Sequence, residues 1–230
     1  SKVNDYVKFN SRFIVGSKAN GGWASLNAGK ENNTDNVQGF DGQADVSLSN
    51  AYFGFTAIPN TVVNIGKQGL TTPYTVAVDI NGNEQTGTGI LALSTFGPIT
   101  AGAGYFNATN LADSGNGNVP RALFDNGYDM YVATVQGDLD FVKLEAWYAG
   151  MQNTFGTYTL AATSNLDLAE SAKLGLEARY VNLELNNRIA TGDAAENSMF
   201  RFAVDGKFSI VNARLAYTMT DKNGGLTALD

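Results

Sequence analysis

The side chains that most often carry catalysis are missing from this chain. It has no cysteine and no histidine, which removes cysteine nucleophiles, histidine bases, disulfides and the usual zinc and transition-metal ligand sets together. Most hydrolase mechanisms thereby lose their general base, leaving carboxylate, lysine, serine and tyrosine for acid–base work. Three local groupings remain. Asp79, Asn81, Asn83 and Glu84 gather oxygen-bearing side chains in a Gly-containing loop that could hold calcium. That loop lacks EF-hand spacing and a bidentate glutamate at the twelfth position, and a solvated turn is the plainer reading. Glu177 and Glu184 could meet as a carboxylate pair on neighbouring strands, but Arg179 and Arg188 lie among them, which points to salt bridges instead. Gly102-Ala-Gly104 fails as a dinucleotide fingerprint, because no helix follows and the third glycine is absent. The expectation is a protein that is not an enzyme.

Composition says what must position these groups. Only 16% of the 230 residues are charged, Pro is 4, Gly is 26, and aromatics reach 11%, tilted toward Phe and Tyr. That is a strand-and-turn composition, sized for one domain spanning 1–230. Acidic residues outnumber basic ones, 22 against 15, for a net charge of -7, so a nucleic-acid partner held through its phosphates is disfavoured. No stretch approaches 18 consecutive apolar residues, so a membrane-spanning helix is not expected; that test is blind to a β-barrel, whose strands average to near-neutral hydropathy.

Periodicity is the sharper test. Val7, Phe9, Phe13 and Val15 alternate with Lys8, Asn10 and Arg12, with Ser11 as the lapse on the apolar side. Trp23–Ala28 reads as a short strand. Ala51, Phe53, Phe55 and Ala57 alternate with Asn50, Tyr52, Gly54 and Thr56; Val63 and Ile65 oppose Asn64, Gly66 and Gln68. Ile99, Ala101, Ala103 and Tyr105 oppose Thr100, Gly102 and Gly104. A hairpin is predicted through Gly137-Asp138, after which Val142, Leu144, Ala146 and Tyr148 face away from Lys143, Glu145 and Trp147. The stretch 154–167 is less decisive. Leu174, Leu176, Ala178 and Tyr180 alternate with Lys173, Gly175, Glu177 and Arg179; Leu183 and Leu185 are set against Glu184, Asn186 and Arg188. Phe200, Phe202 and Val204 oppose Arg201 and Asp205, and Leu215 and Tyr217 oppose Arg214 and Thr218.

The pattern amounts to roughly a dozen strands of about 8–12 residues, the length that crosses a bilayer at a tilt. Short turns at Pro59-Asn60, Gly97-Pro98, Gly137-Asp138, Asn182 and Ser209 interleave with long polar loops at 29–46, 69–88, 107–127 and 191–198, the asymmetry of an outer-membrane barrel. Strand charges are expected on the polar face: Lys8, Arg12, Lys67, Lys143, Glu145, Lys173, Glu177, Arg179, Glu184, Arg188, Arg201, Asp205 and Arg214. A soluble β-protein with one wet face would segregate charge in the same way, but strand length and aliphatic faces ending in Tyr and Phe favour an antiparallel transmembrane β-barrel.

Gly66-Lys67-Gln68 at the end of a strand, Asp79 in the following loop, and Gly87-Thr88-Gly89 before the next strand resemble the campylobacter-type major outer-membrane porins. The likeness runs from Val62 to Gly102 and takes in the aromatic strand Ala51-Tyr52-Phe53-Gly54-Phe55. It implies a homotrimeric general-diffusion porin in the outer membrane of a Gram-negative bacterium, passing ions and small hydrophilic solutes. Residues 69–88 would fold inward as the constriction, with Asp79 and Glu84 as constriction acids facing lumenal Lys or Arg. Members of that family are longer, need more strands to close a porin-width barrel, and end in a strand closing on an aromatic residue. This chain ends in Asp221–Asp230, so it is expected to be a segment of a larger barrel. The acidic net charge suggests mild cation preference. A surface adhesin acting through the long loops at 29–46 and 107–127 is the alternative.

Overall fold

The computed structural model describes residues 1–15, 46–75, 77, 84–111 and 127–221. Eleven strands lie side by side in chain order, each antiparallel to the next: β1 (Val7–Val15), β2 (Val46–Phe55), β3 (Thr61–Gly69), β4 (Thr86–Phe96), β5 (Ile99–Thr109), β6 (Met130–Leu139), β7 (Val142–Met151), β8 (Phe155–Ala169), β9 (Ala172–Leu185), β10 (Glu196–Phe208) and β11 (Val211–Thr220). Among the described residues β11 and β1 are not paired with each other, so the sheet is an open wall. One end of it carries tight turns. Asn60 and Ser209 take the left-handed conformation there, at φ 57° and 53°, which a short polar side chain tolerates.

The period-two pattern locates most strands, and the departures have local causes. The β6–β7 turn falls at Asp140-Phe141, because Asp138 and Leu139 still pair with Lys143 and Val142. Asn182 is not a junction; it pairs with Tyr158 on one side and Ser198 on the other, inside an unbroken β9. The indecisive stretch 154–167 is largely β8, whose 15 residues make it the longest strand. The loop ends shift inward, with Gly69 closing β3, Thr86 opening β4, β5 reaching Thr109 and Glu196 opening β10. Trp23–Ala28 and nearly all of the 29–46 loop lie outside the described residues.

Side chains alternate between faces along each strand, so the pairing register assigns every strand residue to a side. One face is apolar and open: Phe9 pairs with Phe53, Phe53 with Ile65, Tyr105 with Tyr131, and Leu176 with Val204, which in turn pairs with Leu215. Phe53 is 44% exposed and Leu215 is 76% exposed. Aromatic rings meet across strands on this face at 5.1 Å for Phe9–Phe53, 5.6 Å for Tyr105–Tyr131 and 6.0 Å for Tyr158–Tyr180. The other face carries Lys8, Arg12, Glu145, Glu177, Arg179, Arg201 and Arg214.

Three expected placements are corrected. Lys67 shares the parity of Val63 and Ile65 and pairs with Ala51, so it stands on the apolar face; its Nζ reaches along the strand end to donate to the Leu48 carbonyl at 2.8 Å, as a long amphipathic side chain does at an apolar border. Glu184 pairs with Glu196 in the row that continues Tyr180 and Asn182, again on the apolar side, because β9 runs through Asn182 without a break. Arg188 lies beyond β9; its guanidinium sits 5.4 Å from the Tyr128 ring centroid and donates to the Asn153 carbonyl.

Two glycines of the sequence motif have a backbone role. Gly66 has φ +129°, and a Cβ there would collide with the Ala51 carbonyl and lie 2.8 Å from Tyr52 Cα. Gly89 sits where the β4–β5 register shifts, and a Cβ would collide with the Tyr105 carbonyl. Both spots need a residue without a side chain.

Candidate channel lining

The polar face divides into a dry region and a charged one. Toward the long-loop ends of β5 to β9, Phe106, Met130, Val132, Ala149, Met151, Phe155 and Leu183 are buried although they stand on the polar face. Leu70 and Tyr74, from the segment after β3, fold onto them and complete the cluster. The segment is braced locally: the Thr75 hydroxyl donates to the Leu70 carbonyl at 2.9 Å, the Tyr74 amide to Thr72 Oγ1 at 3.1 Å, and the Leu70 amide to the Gln85 carbonyl at 2.9 Å. Apolar residues therefore sit on the polar face where this inward segment keeps them from water, and their burial holds the segment in place.

Tyr74 is 3% exposed, and its phenol donates to the Trp147 carbonyl at 3.3 Å. Burial raises its pKa above the ordinary 10.0, while the neighbouring hydroxyls of Thr159 and Thr157 and the nearby Arg179 charge pull it back part of the way. The folded pKa is the raised one, so the stabilisation by the neutral phenol is full below pH ~10 and fades as pH climbs through the raised value. Trp147 emission is expected to hold steady up to that point and to shift above it, with Tyr74→Phe abolishing the shift. A shift that persists in the phenylalanine variant would place the titrating group elsewhere.

The charged region lies on β9, β10 and β11. Glu177 is the hub: Arg214 Nη2 lies 3.0 Å away, Arg179 Nε 3.5 Å and Arg201 Nη2 3.8 Å, and Arg214 Nε also approaches Asp205 at 3.6 Å. Arg179 stands directly opposite Arg201, and Lys173 directly opposite Lys207. Lys173 pairs with Asp167 at 2.9 Å, and on β7 Lys143 pairs with Glu145 at 3.2 Å. Gly175 lies between Asn165 and Asp205, so the wall is shallow there and forms a trough bordered by Lys173, Lys207, Asn212 and Arg214.

Of the residues singled out from the sequence, Glu177, Arg179, Arg201 and Arg214 come together, Lys143 and Glu145 pair separately, and Arg12 meets Glu84 at 3.1 Å. Lys8 shares the polar face with Arg12, toward the other end of β1. Glu177 and Glu184 are not brought together, because they point to opposite sides of β9. Asp79, Asn81 and Asn83 lie outside the described residues, and Glu84 Oε2 already accepts from both Arg12 and Asn50. Sequence reasoning missed Leu70, Tyr74 and the cluster beneath them. A signal was there: the stretch 69–88 taken as polar contains large apolar side chains, Leu70 and Tyr74 among them, and Leu183 and Leu185 break the polar side of β9.

No protein-family model matches this sequence, and no curated protein matches it significantly. Solved structures do match. The OccK2 (OpdF) structure of Pseudomonas aeruginosa in complex with glucuronate aligns with a TM-score of 0.67 at 14% identity, over 81% of this chain and 51% of that one. OprD of the same organism aligns at 0.62 with 17% identity, over 77% and 44%, and OpdK with vanillate at 0.60 with 13%, over 81% and 49%. The fold is that of a porin barrel wall. The chain spans about half the length of these matched structures, so it supplies part of such a barrel. In that architecture the apolar face looks out to lipid and the polar face looks into the lumen. The narrower likeness to the campylobacter-type porins rests on the sequence motifs alone.

Proposed function

We propose that this chain forms part of an outer-membrane channel for small hydrophilic solutes, with a lumen wall that favours anions, carboxylates in particular. The single observation that carries the reading is the arginine group around Glu177. Like charges directly opposite each other on neighbouring strands cost stability, and the described polar face holds two cationic pairs of this kind, Arg179–Arg201 and Lys173–Lys207, whereas the acidic pair Glu184–Glu196 stands on the other face. One glutamate serves three guanidiniums, leaving donor capacity for a planar oxyanion, which the guanidinium fork grips bidentately. The preference departs from the cation bias suggested by net charge, because acidic residues are concentrated in connecting stretches such as 31–45, whereas basic residues outnumber acidic ones on the described lumen face. The matched structures solved with vanillate and glucuronate hold carboxylates, which fits this reading. The outer-membrane setting and the trimer implied by the porin resemblance belong to the same proposal.

The test is a planar-bilayer recording of the full-length protein. Ohmic steps are expected, with a zero-current potential in a KCl gradient that reports anion preference. Arg201→Glu should move that potential toward cations, more strongly at low ionic strength, where screening is weaker. Absence of conductance, or a cation preference that ignores Arg201, would overturn the proposal.

A further inference from the structure

On the apolar face an open groove of about 560 Å³ crosses the strands from Ile99, at the start of β5, to Phe200, within β10. Its floor is set by small residues: Gly137 on β6, Ala146 on β7, Ala162 on β8 and Ala178 on β9. Pairing explains the alignment. Gly137 stands opposite Leu144, Leu144 opposite Ala162 and Ala162 opposite Ala178, while Ala146 stands between Val135 and Leu160. Larger neighbours rise around that floor; Leu144 is 44% exposed and Leu160 is 53% exposed. Glu145 and Arg179 also border the groove, but they alternate with its floor residues and turn their side chains to the polar face, where Glu145 meets Lys143 and Arg179 meets Glu177. Five strand spacings of about 4.8 Å give the groove a length of roughly 24 Å. It climbs from the short-turn end, at Leu139, to mid-wall, where Tyr158 and Tyr180 stand 6.0 Å apart on its long-loop side.

We infer that this groove holds one acyl chain of a phospholipid from the leaflet at the short-turn end, with an ammonium-bearing headgroup near Asp140. The groove lies on the side of the wall that looks out to lipid, so the bilayer covers it in any case. What the groove adds is a slot in which one tail touches protein on its floor and on both banks, and each added contact contributes dispersion attraction. That tail leaves more slowly than one lying on a flat wall. A second copy of the chain fits less well. Burying apolar surface drives no protein association within lipid, and apart from Tyr180 the lining turns no hydrogen-bonding side chain outward to reward it. The turn end selects the headgroup. Asp140 follows the lining residue Leu139 and is exposed, whereas Asp138 stands opposite Lys143 on the polar side. A zwitterionic headgroup that brings an ammonium to Asp140 is favoured there over an anionic one. This inference rests on the apolar face meeting lipid and not on the anion preference of the lumen.

Native mass spectrometry of the full-length protein in a mild detergent tests it, with phosphatidylethanolamine or phosphatidylglycerol added as the probe. One phosphatidylethanolamine per chain is expected to stay bound in preference to phosphatidylglycerol. Ala146→Leu combined with Ala162→Leu fills the floor and should lower retention several-fold. Ala103→Leu, on the same face but outside the groove, should leave retention unchanged, and heat-modifiable gel mobility shows that each variant is folded. Equal retention by the filled and unfilled proteins would overturn the groove, and equal retention of phosphatidylglycerol would overturn the headgroup assignment. Loss of a dimer in the filled variant, with its lipid unchanged, would give the groove to a second copy instead. The filled variant should keep the wild-type zero-current potential, so a protein that conducts nothing overturns the channel reading and leaves the lipid count standing.

Discussion

Ala162→Arg is expected to destabilise the folded sheet by about 2–4 kcal/mol in phospholipid vesicles, while Thr163→Arg, one residue along the same strand, should cost no more than about 1 kcal/mol, the scale of a like-charge pair across strands. The substitution and the strand are the same; only the face differs. Ala162 pairs with Leu144 and Ala178 in the apolar row of β7, β8 and β9, roughly midway between the Tyr158 level and the turn at the other end, where a guanidinium meets hydrocarbon with no water to solvate it. Thr163 pairs with Lys143 and Glu177, where water solvates the new charge and the Glu177 carboxylate offsets part of the repulsion from Lys143. Urea titration followed by fluorescence in vesicles measures both. Equal losses from the two variants would mean that the faces are not lipid and water.

Phe106→Ala should cost about 3–5 kcal/mol, the range for truncating a buried aromatic. Phe106 has no exposed surface, and its ring is tightly enclosed: a Cβ on Gly87 would lie 2.8 Å from it and one on Gly104 3.0 Å. The cavity left by alanine opens beneath Leu70 and Tyr74, so the inward segment loosens together with the barrel. Tyr105→Ala, the adjacent change on the apolar face, creates no cavity because Tyr105 is 41% exposed, and its cost should be well below that of Phe106→Ala. Denaturant midpoints with matched slopes decide the comparison; a Phe106→Ala midpoint near that of Tyr105→Ala would show that the dry cluster does not hold the wall.

The fold was legible because a two-faced strand writes its geometry into alternate residues, and β2, β5, β7 and β10 do so over much of their length. Legibility failed where one residue served a neighbour that alternation cannot see. Leu183 and Leu185 are apolar on the polar face because the dry cluster lies against them, and that inversion made β9 look as though it ended at Asn182. In β8, small residues such as Thr157, Thr159, Ala161 and Ala162 occupy both faces, so the pattern was faint although the strand is the longest. Lys67 was misplaced because a charged head at a strand end can stand on the apolar side and still reach a carbonyl. The arginine group was half visible. Charges on β9, β10 and β11 could be assigned to one face, but convergence on Glu177 depends on register, which fixes who stands opposite whom. The Glu84 hydrogen bonds were out of reach, since Arg12, Asn50 and Asn110 come to it from places far apart in sequence.

The most direct test of the account is spin-label accessibility along β9, one cysteine at a time from residue 173 to 180, in lipid vesicles. Labels at 174, 176, 178 and 180 should be relaxed by dissolved oxygen and shielded from a water-soluble nickel chelate, and labels at 173, 175, 177 and 179 should show the reverse. Uniform access of the chelate to both sets, or the opposite assignment, would contradict a wall with lipid on its apolar side and a water-filled lumen on the other.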